Sequence, residues 1–477
     1  MKTYQDWLKV ADTSERERMD FIRALIDEHK ASDIYKQAQD AENYYKGQNT
    51  TIKRYEKILY NALGQAVPDL VSANHKLATR FFYRSVTQAN STLLGNGISW
   101  KNGKGAKALG SDFDRKIIKI GRNAQTGGVC FGFYNNKKVE VYTVLEYAPL
   151  YDEEDGALKA GARFWQIDNS KPLRVTMFEL DGYTEYQFDN DHPTGFIRTP
   201  KRKYIEVIQT SEAYGDETIE FKNYPSFPVV PCWANETKQS ELIPLRATID
   251  CYDLINSGYA NDIDDASLIY WIITNAGGMD DLDVVKFIDK MKKLHAAQTD
   301  SDQVITPTTV DVPFAGREAI LERLEKTLYK DAMALNTYDI AGGAVTATQI
   351  EAAYEPLNEK LDGYEAEISD FIARLLVVAG VEDEPTYTRS IIVNKAEEVN
   401  IVLNSANYTD SEYVTEKVLT ILGDKDKVEE VLKRQAAANM ERMMMIQQQL
   451  AQSQEGNSAE GNNEGETSEQ DTVNEEV

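Results

Sequence analysis

The sequence is poor in the two residue types that most often hold metals or disulfides. Only Cys130, Cys232 and Cys251 occur in 477 residues, with no CxxC spacing, which excludes a disulfide framework and a paired-thiol metal knuckle. Three reduced, mostly buried thiols are expected. His29, His75, His192 and His295 stand far apart, and none belongs to an HExxH or similar ligand pattern. No metal and no cofactor is therefore predicted.

Long apolar runs are absent as well. Nothing approaches the roughly 18 residues that a membrane-spanning helix requires, so no membrane partner is predicted. The opening stretch, MKTYQDWLKVADTSERERMD, has neither the apolar centre nor the small-residue cleavage site of a secretory leader. A chain retained in the cytosol is the expectation.

Phosphate-cradling loops are missing too. In GNGISWKNGKG, five residues separate Gly97 from Gly103, and Gly105 follows Lys104 where a Mg²⁺-binding Ser or Thr would be needed. The stretch 101–110 therefore reads as a flexible basic loop. Gly127 and Gly128 precede a strand rather than opening a helix, so they place no anion at a helix N-terminus. Asp152, Glu153, Glu154 and Asp155 beside Gly156 read as a solvated turn, because no histidine or nucleophile lies near them. No catalytic residue emerges, and the chain is read as non-enzymatic.

What the sequence does have is acid: 78 Asp and Glu against 52 Lys and Arg, a formal net charge of −26. A protein that grips DNA along its phosphates normally clusters its basic residues and is not this acidic overall. Residues 1 to about 62 read as helical from the recurrence of Trp7, Leu8, Met19, Phe21, Ile22, Leu25 and Ile26. A second amphipathic helix is expected over 67–95, stopped by the glycines at 95 and 97. From about 128 to 232, short aromatic and β-branched segments such as VCFGFY, KVEVYTVL and LRVTMFEL alternate with turns, which predicts antiparallel strands.

A helix follows from 244 to 278, in which Ser257 and Gly258 are expected to form an interruption. Its acidic residues are Asp250, Asp253, Asp262, Asp264 and Asp265, with a single basic residue, Arg246, near its start. Ordinary surface helices alternate signs to gain pairs one turn apart; this one reads as uniformly negative. An insert, 279–313, carries the basic helix LDVVKFIDKMKKLHAA and the strand-like QVITP and TTVDVPF. Then come a helix over 314–335, the loop NTYDIAGGAVT over 336–346, and a helix from Ala347 to Ala379 closed by Gly380. Pro356 is expected to kink that last helix, which spans about 50 Å. RSIIVN reads as a strand and is followed by helices to 452. The Met443, Met444 and Met445 run reads as a packing or subunit-contact stripe. Beyond Ser453 the sequence is acidic, lacks basic residues and has too few apolar ones to order itself.

The element order and three stretches, FPVVPCWANE leading into IDCYDLINSGYANDID, YTVLEYAPLYDEEDGALKAGARFWQI, and TATQIEAAYEPLNEK, resemble the portal proteins of tailed phages, of the Gram-positive siphophage type, over about 1–450. The resemblance implies an α+β subunit of a ring, usually of twelve copies. In it, 1–243 is the helical and β-rich wing, 244–278 the first stem helix, 279–313 a small α/β clip and 314–335 the second stem helix. The tunnel loop is 336–346 (Asn336, Thr337, Tyr338, Asp339, Ile340, Ala341, Gly342, Gly343, Ala344, Val345 and Thr346), the long kinked wing helix 347–380 and the helical crown 381–452, with a tail at 453–477.

It also implies a channel for double-stranded DNA at one capsid vertex, used in packaging and ejection. The implied partners are the terminase large subunit, a head-completion adaptor, and the major capsid and scaffold proteins, with assembly in the host bacterial cytoplasm. On this reading the five aspartates line the channel and repel phosphate, the glycine-bearing loop touches DNA, and Lys286, Lys290, Lys292 and Lys293 of the clip dock partners. A scaffold-type head protein without a channel is the competing expectation.

Overall fold

The computed structural model describes residues 2–60, 65–68, 74–210, 217–266, 270–274, 286, 304–308, 314–338, 347–390, 395–424 and 427–457. The chain divides into one unit of Met1–Ala344 with Glu351–Ile391, and a second of Val345–Ile350 with Ile392–Val477.

The helical start is four helices rather than one arm: Tyr4–Ala11, Glu15–Ala31, Asp33–Tyr45 and Thr50–Arg54. The breaks are chemical. Thr3, Ser14, Ser32 and Asn49 each accept a backbone N–H with their side chain and so cap the helix that follows. Trp7, Phe21, Ile22, Leu25 and Ile26 are buried against Leu150, Phe164, Met177 and Tyr186 of a five-stranded antiparallel sheet. That sheet runs in sequence order through Tyr147–Tyr151, Leu158–Trp165, Leu173–Glu179, Gly182–Phe188 and Phe196–Arg202. Residues of Gly182–Phe188 alternate between buried and half-buried, as a strand with one covered face should.

A three-stranded sheet has Val129–Tyr134 at its centre, flanked by Val229–Trp233 and Val139–Thr143. All six residues of the central strand are buried, because both faces are covered. Phe131 and Phe133 pack on Tyr147 and Phe178, while Gly132 lies against Phe371 of the helix Ala347–Ala379. Cys130 and Cys232 face each other across this sheet as free, buried thiols; Cys251 is exposed. Burial raises the Cys130 pKa to about 12, so neither buried thiol is a nucleophile.

The helix Ala347–Ala379 continues through Pro356. It buries Tyr354, Leu357, Leu361, Tyr364, Ile368, Phe371, Leu375 and Val378, at intervals alternating three and four, the spacing of a helix with one apolar seam. The Tyr364 hydroxyl donates to Asn90 Oδ1 at 2.9 Å, and Asn90 Nδ2 donates to Gln125 Oε1 at 3.0 Å. This buried network ties the long helix to Phe81–Leu94 and Phe113–Gly127. Gly121 makes room for it: a Cβ there would collide with the Tyr364 hydroxyl. Gly380, at φ +67°, ends the helix as expected.

Several expectations need correction. Among the described residues of the segment 67–95, only Phe81–Leu94 is helical; 74–80 lies outside regular secondary structure. Lys104–Leu109, read as loop, is a short helix. Its preceding turn is clamped, since the Asp383 carboxylate accepts the N–H groups of Asn102, Lys104 and Gly105 at 2.7–2.9 Å, and Lys101 pairs with Glu384 at 2.7 Å. Ser257 and Gly258 do not interrupt the helix, which runs from Arg246 to Ala266. Tyr270–Thr274, placed within that helix by the sequence, is instead a strand paired with Val304–Thr308. Of the expected strand RSIIVN, residues 391–394 lie outside the described residues; the described strand is Pro385–Tyr387, paired with Ile98–Trp100.

In the second unit, Lys395–Asn404, Ser411–Leu422 and Val428–Asn457 are helices, the middle one capped by Asp410 and closed by Gly423 at φ +92°. Among the described residues, no helix is long and apolar enough to cross a membrane.

Candidate functional site: the acidic helix and its basic neighbour

The helix Arg246–Ala266 packs on Phe314–Asp331 and buries Ile249 beside Leu328 and Phe81. Four of its carboxylates are bonded within the protomer, although Asp264 stays exposed. Asp250 accepts the Tyr44 hydroxyl at 2.5 Å and the Thr51 hydroxyl at 2.8 Å. Asp253 is completely buried and accepts Asn49 Nδ2 and the Thr79 N–H, each at 2.8 Å. Desolvation raises its pKa to about 6, against the lowering pull of those two donors. Asp262 pairs with Arg317, and Asp264 with His75 at 2.5 Å. The side chain of Asp265 lies outside the described residues.

One row of this helix forms a ladder with the extended segment 75–79. The N–H groups of Thr79, Leu77 and His75 donate in turn to Asp253 (2.8 Å), Ser257 (3.0 Å) and Asn261 (2.6 Å). The two elements run antiparallel, and their repeats nearly match. Four helical residues rise about 6 Å, and two extended residues advance just under 7 Å. Every second backbone donor of the segment therefore meets a side chain one turn further along the helix. The ladder favours a non-helical 74–80, since the N–H groups of His75, Leu77 and Thr79 find their acceptors outside the segment.

The expectation of a uniformly negative, solvent-facing surface is thus corrected. Asp253 cannot face a channel, because it is buried; Asp250 and Asp262 are half-buried and Asp264 is exposed, all three paired within the protomer. The exposed positions of the helix among the described residues are Ala247, Cys251, Leu254, Ile263 and Asp264. Of the loop 336–346, Asn336, Thr337 and Tyr338 are described, Tyr338 being 72% exposed; Asp339 to Thr346 lie outside the described residues. Lys286 is exposed, while Lys290, Lys292 and Lys293 also lie outside them. Met443, Met444 and Met445 are exposed and so do not pack within the protomer. Among the described residues, no group of three or more His, Cys, Asp or Glu is arranged to hold a metal.

The sequence reading missed the ladder, whose signal was polar residues at 253, 257 and 261, one turn apart. It also missed a charge contrast. Between Glu42 and Asp112 the chain carries ten Lys and Arg and only two acids, Glu56 and Asp69.

The match to known proteins is broad. Residues 24–441 match the model of the family described as "Phage portal protein, SPP1 Gp6-like". A portal protein of Clostridium phage phiCD119 is 25% identical over 332 residues, covering 64% of this chain and 71% of its own. Among solved structures, one chain from the neck of a native gene transfer agent particle, computed with C12 symmetry, is 12% identical and covers 72% of this chain and 89% of its own, with a TM-score of 0.40. Another, from the virion of the native particle, is 11% identical over the same shares, with a TM-score of 0.39. Since the family match alone spans far more than half of the sequence, the chain belongs to the phage portal protein family of the SPP1 Gp6-like type.

Proposed function

We propose that this portal protein forms a closed ring at one vertex of a phage head, and that double-stranded DNA enters and leaves through its centre. The family match over 24–441 carries this reading. During head assembly, the ring receives the terminase large subunit for packaging and a head-completion adaptor afterwards, with the major capsid and scaffold proteins around it. No phosphate-cradling loop occurs in the sequence, so the energy for DNA movement comes from the partner ATPase.

Within the subunit, 1–243 and 347–380 form the wing, 244–278 and 314–335 the stem, 279–313 the clip, 336–346 the tunnel loop and 381–452 the crown. The stem wall is stiff in this account because the ladder from Asp253, Ser257 and Asn261 fixes its helix to the wing segment 75–79. The carboxylates act mainly as fasteners, leaving, among the described side chains, the half-buried Asp250 and Asp262 and the exposed Asp264 to repel phosphate. Tyr338, exposed at the start of the tunnel loop, is placed to meet the duplex. Negative-stain images of the purified full chain test the reading: rings with a hole wide enough for a DNA duplex are expected, and monomers or open filaments would overturn it.

A further inference from the structure

The basic stretch next to the acidic helix is not used up as the carboxylates are. Lys46, Lys53, Arg54, Lys76, Arg80 and Arg84 are all exposed. Lys46 pairs with Glu42 at 3.1 Å; the other five make no ion pair among the described residues. They are brought together in space. Lys76 Nζ donates to the Lys53 carbonyl at 2.8 Å, which joins the two segments. Arg80 lies across Gly47, where a Cβ would sit 3.4 Å from its Cγ, and its guanidinium is 4.9 Å from the Tyr83 ring centre. Tyr83 meets Tyr45 at 5.0 Å, and the Arg122 guanidinium lies 5.7 Å from Tyr45. Beyond it, Lys46, Lys119 and Arg122 line an open cavity of about 320 Å³, with Glu42 and Glu146 as the acids on its wall.

We propose that this basic and aromatic surface, centred on Lys53, Arg54, Lys76, Arg80 and Arg84, is a sequence-independent contact for the phosphate backbone of duplex DNA. The proposal rests on the portal reading for the identity of its partner. Its own support is charge complementarity. In a chain of net charge −26, these five exposed lysines and arginines make no ion pair among the described residues, and releasing counterions from phosphate is what such groups do best. Three of the five are arginines, whose planar forks suit phosphate oxygens. The ladder supplies rigidity, since it holds 75–79 and with it Lys76 and the approach to Arg80. The chain's own acidic tail, 453–477, is a weaker fit: eight acids over 25 residues give a far sparser charge than the duplex, which carries one per roughly 1.7 Å.

The test uses the full chain with Lys53→Ala, Arg54→Ala, Lys76→Ala and Arg84→Ala together. A control carries Arg16→Ala, Lys36→Ala, Lys138→Ala and Lys171→Ala, the same charge change on other exposed surface. Binding to a labelled 30-base-pair duplex is followed by fluorescence anisotropy from about 50 to 200 mM salt, the range over which phosphate contacts weaken strongly. The slope of log affinity against log salt should fall by about 3 to 4 in the patch variant and stay at the wild-type value in the control. Equal slopes in the two variants would overturn the proposal. So would unchanged duplex binding together with loss of binding to a peptide of residues 453–477, which would hand the surface to the tail. If the fourfold variant does not assemble, the pair Lys53→Ala and Arg54→Ala, both on exposed chain, should lower the slope by about 2. Ring images of the same samples separate the two failures. Intact rings with an unchanged slope sink only this surface, whereas wild-type chains that form no ring sink the portal reading itself.

Discussion

The helix Arg246–Ala266 and the stretch between Glu42 and Asp112 carry opposite charge, yet they differ more in what that charge is doing. Asp250, Asp253, Asp262 and Asp264 of the helix are held within the protomer by Tyr44, Thr51, Asn49, Thr79, Arg317 and His75. Lys53, Arg54, Lys76, Arg80 and Arg84 of the stretch are exposed and make no ion pair among the described residues. Charge read from a sequence is therefore not charge presented to a partner. A carboxylate with two hydrogen-bond donors inside the protein fastens one element to another, and its field outside is weak; an unpaired surface arginine keeps its reach of about one Debye length.

The most direct way to break this contrast is at Asp253. Replacing it by alanine leaves the Thr79 N–H and Asn49 Nδ2 without acceptors in a buried site, which should cost about 2–4 kcal/mol. Urea unfolding of the full chain measures it. A loss below about 0.5 kcal/mol, the scale of ordinary surface substitutions, would mean that the ladder does not hold the helix and that its carboxylates are free to face elsewhere.

The same residue predicts a pH dependence. Burial raises the folded-state pKa of Asp253 from the model-compound 3.8 to about 6, so the native protein binds a proton more readily than the unfolded chain. Its contribution is then fully present below about pH 4 and is lost as pH rises through about 6. Relative to Asp253→Asn, which does not titrate, the wild type should gain roughly 1–3 kcal/mol between pH 7 and pH 4. A flat difference across that window would show that water reaches the carboxylate.

How much of this was legible beforehand differs by region. The β-rich block, the long helix closed by Gly380 and the helix beginning near Arg246 follow from periodicity, because the core dictates residue type there. The stretch 74–80 misled: its apolar spacing suits a helix, but its backbone donors are taken by side chains 170–190 residues away, which no local pattern records. Lys104–Leu109 misled in the same way, since the clamp on its first turn is Asp383. The acidic helix was recognised, and the direction of its charge was not. A row of aspartates has the same sequence whether it meets solvent or Asn49 and Thr79. The basic stretch was legible in full, as ten positive residues against two negative, but it stands out only when charge is counted locally instead of over the whole chain.

Ser257 and Gly258 sharpen the comparison with the smallest effects, because the two readings of this helix give them different signs. If the pair were a weak point, alanine at either position would stabilise through helix propensity, by about 0.5 kcal/mol for serine and up to about 1 kcal/mol for glycine. The structure separates them. Ser257 is buried, with its hydroxyl oxygen accepting the Leu77 N–H, so alanine there strands a donor and should be net destabilising by about 1 kcal/mol. Gly258 has ordinary van der Waals space for a Cβ, its nearest neighbour being Arg317 Nη1 at 3.8 Å, so alanine there should stabilise. Opposite signs for the two single variants in thermal unfolding would place the rung at Ser257 and leave Gly258 as spacing. Stabilisation by both would return the interruption to the helix and remove Ser257 from the ladder.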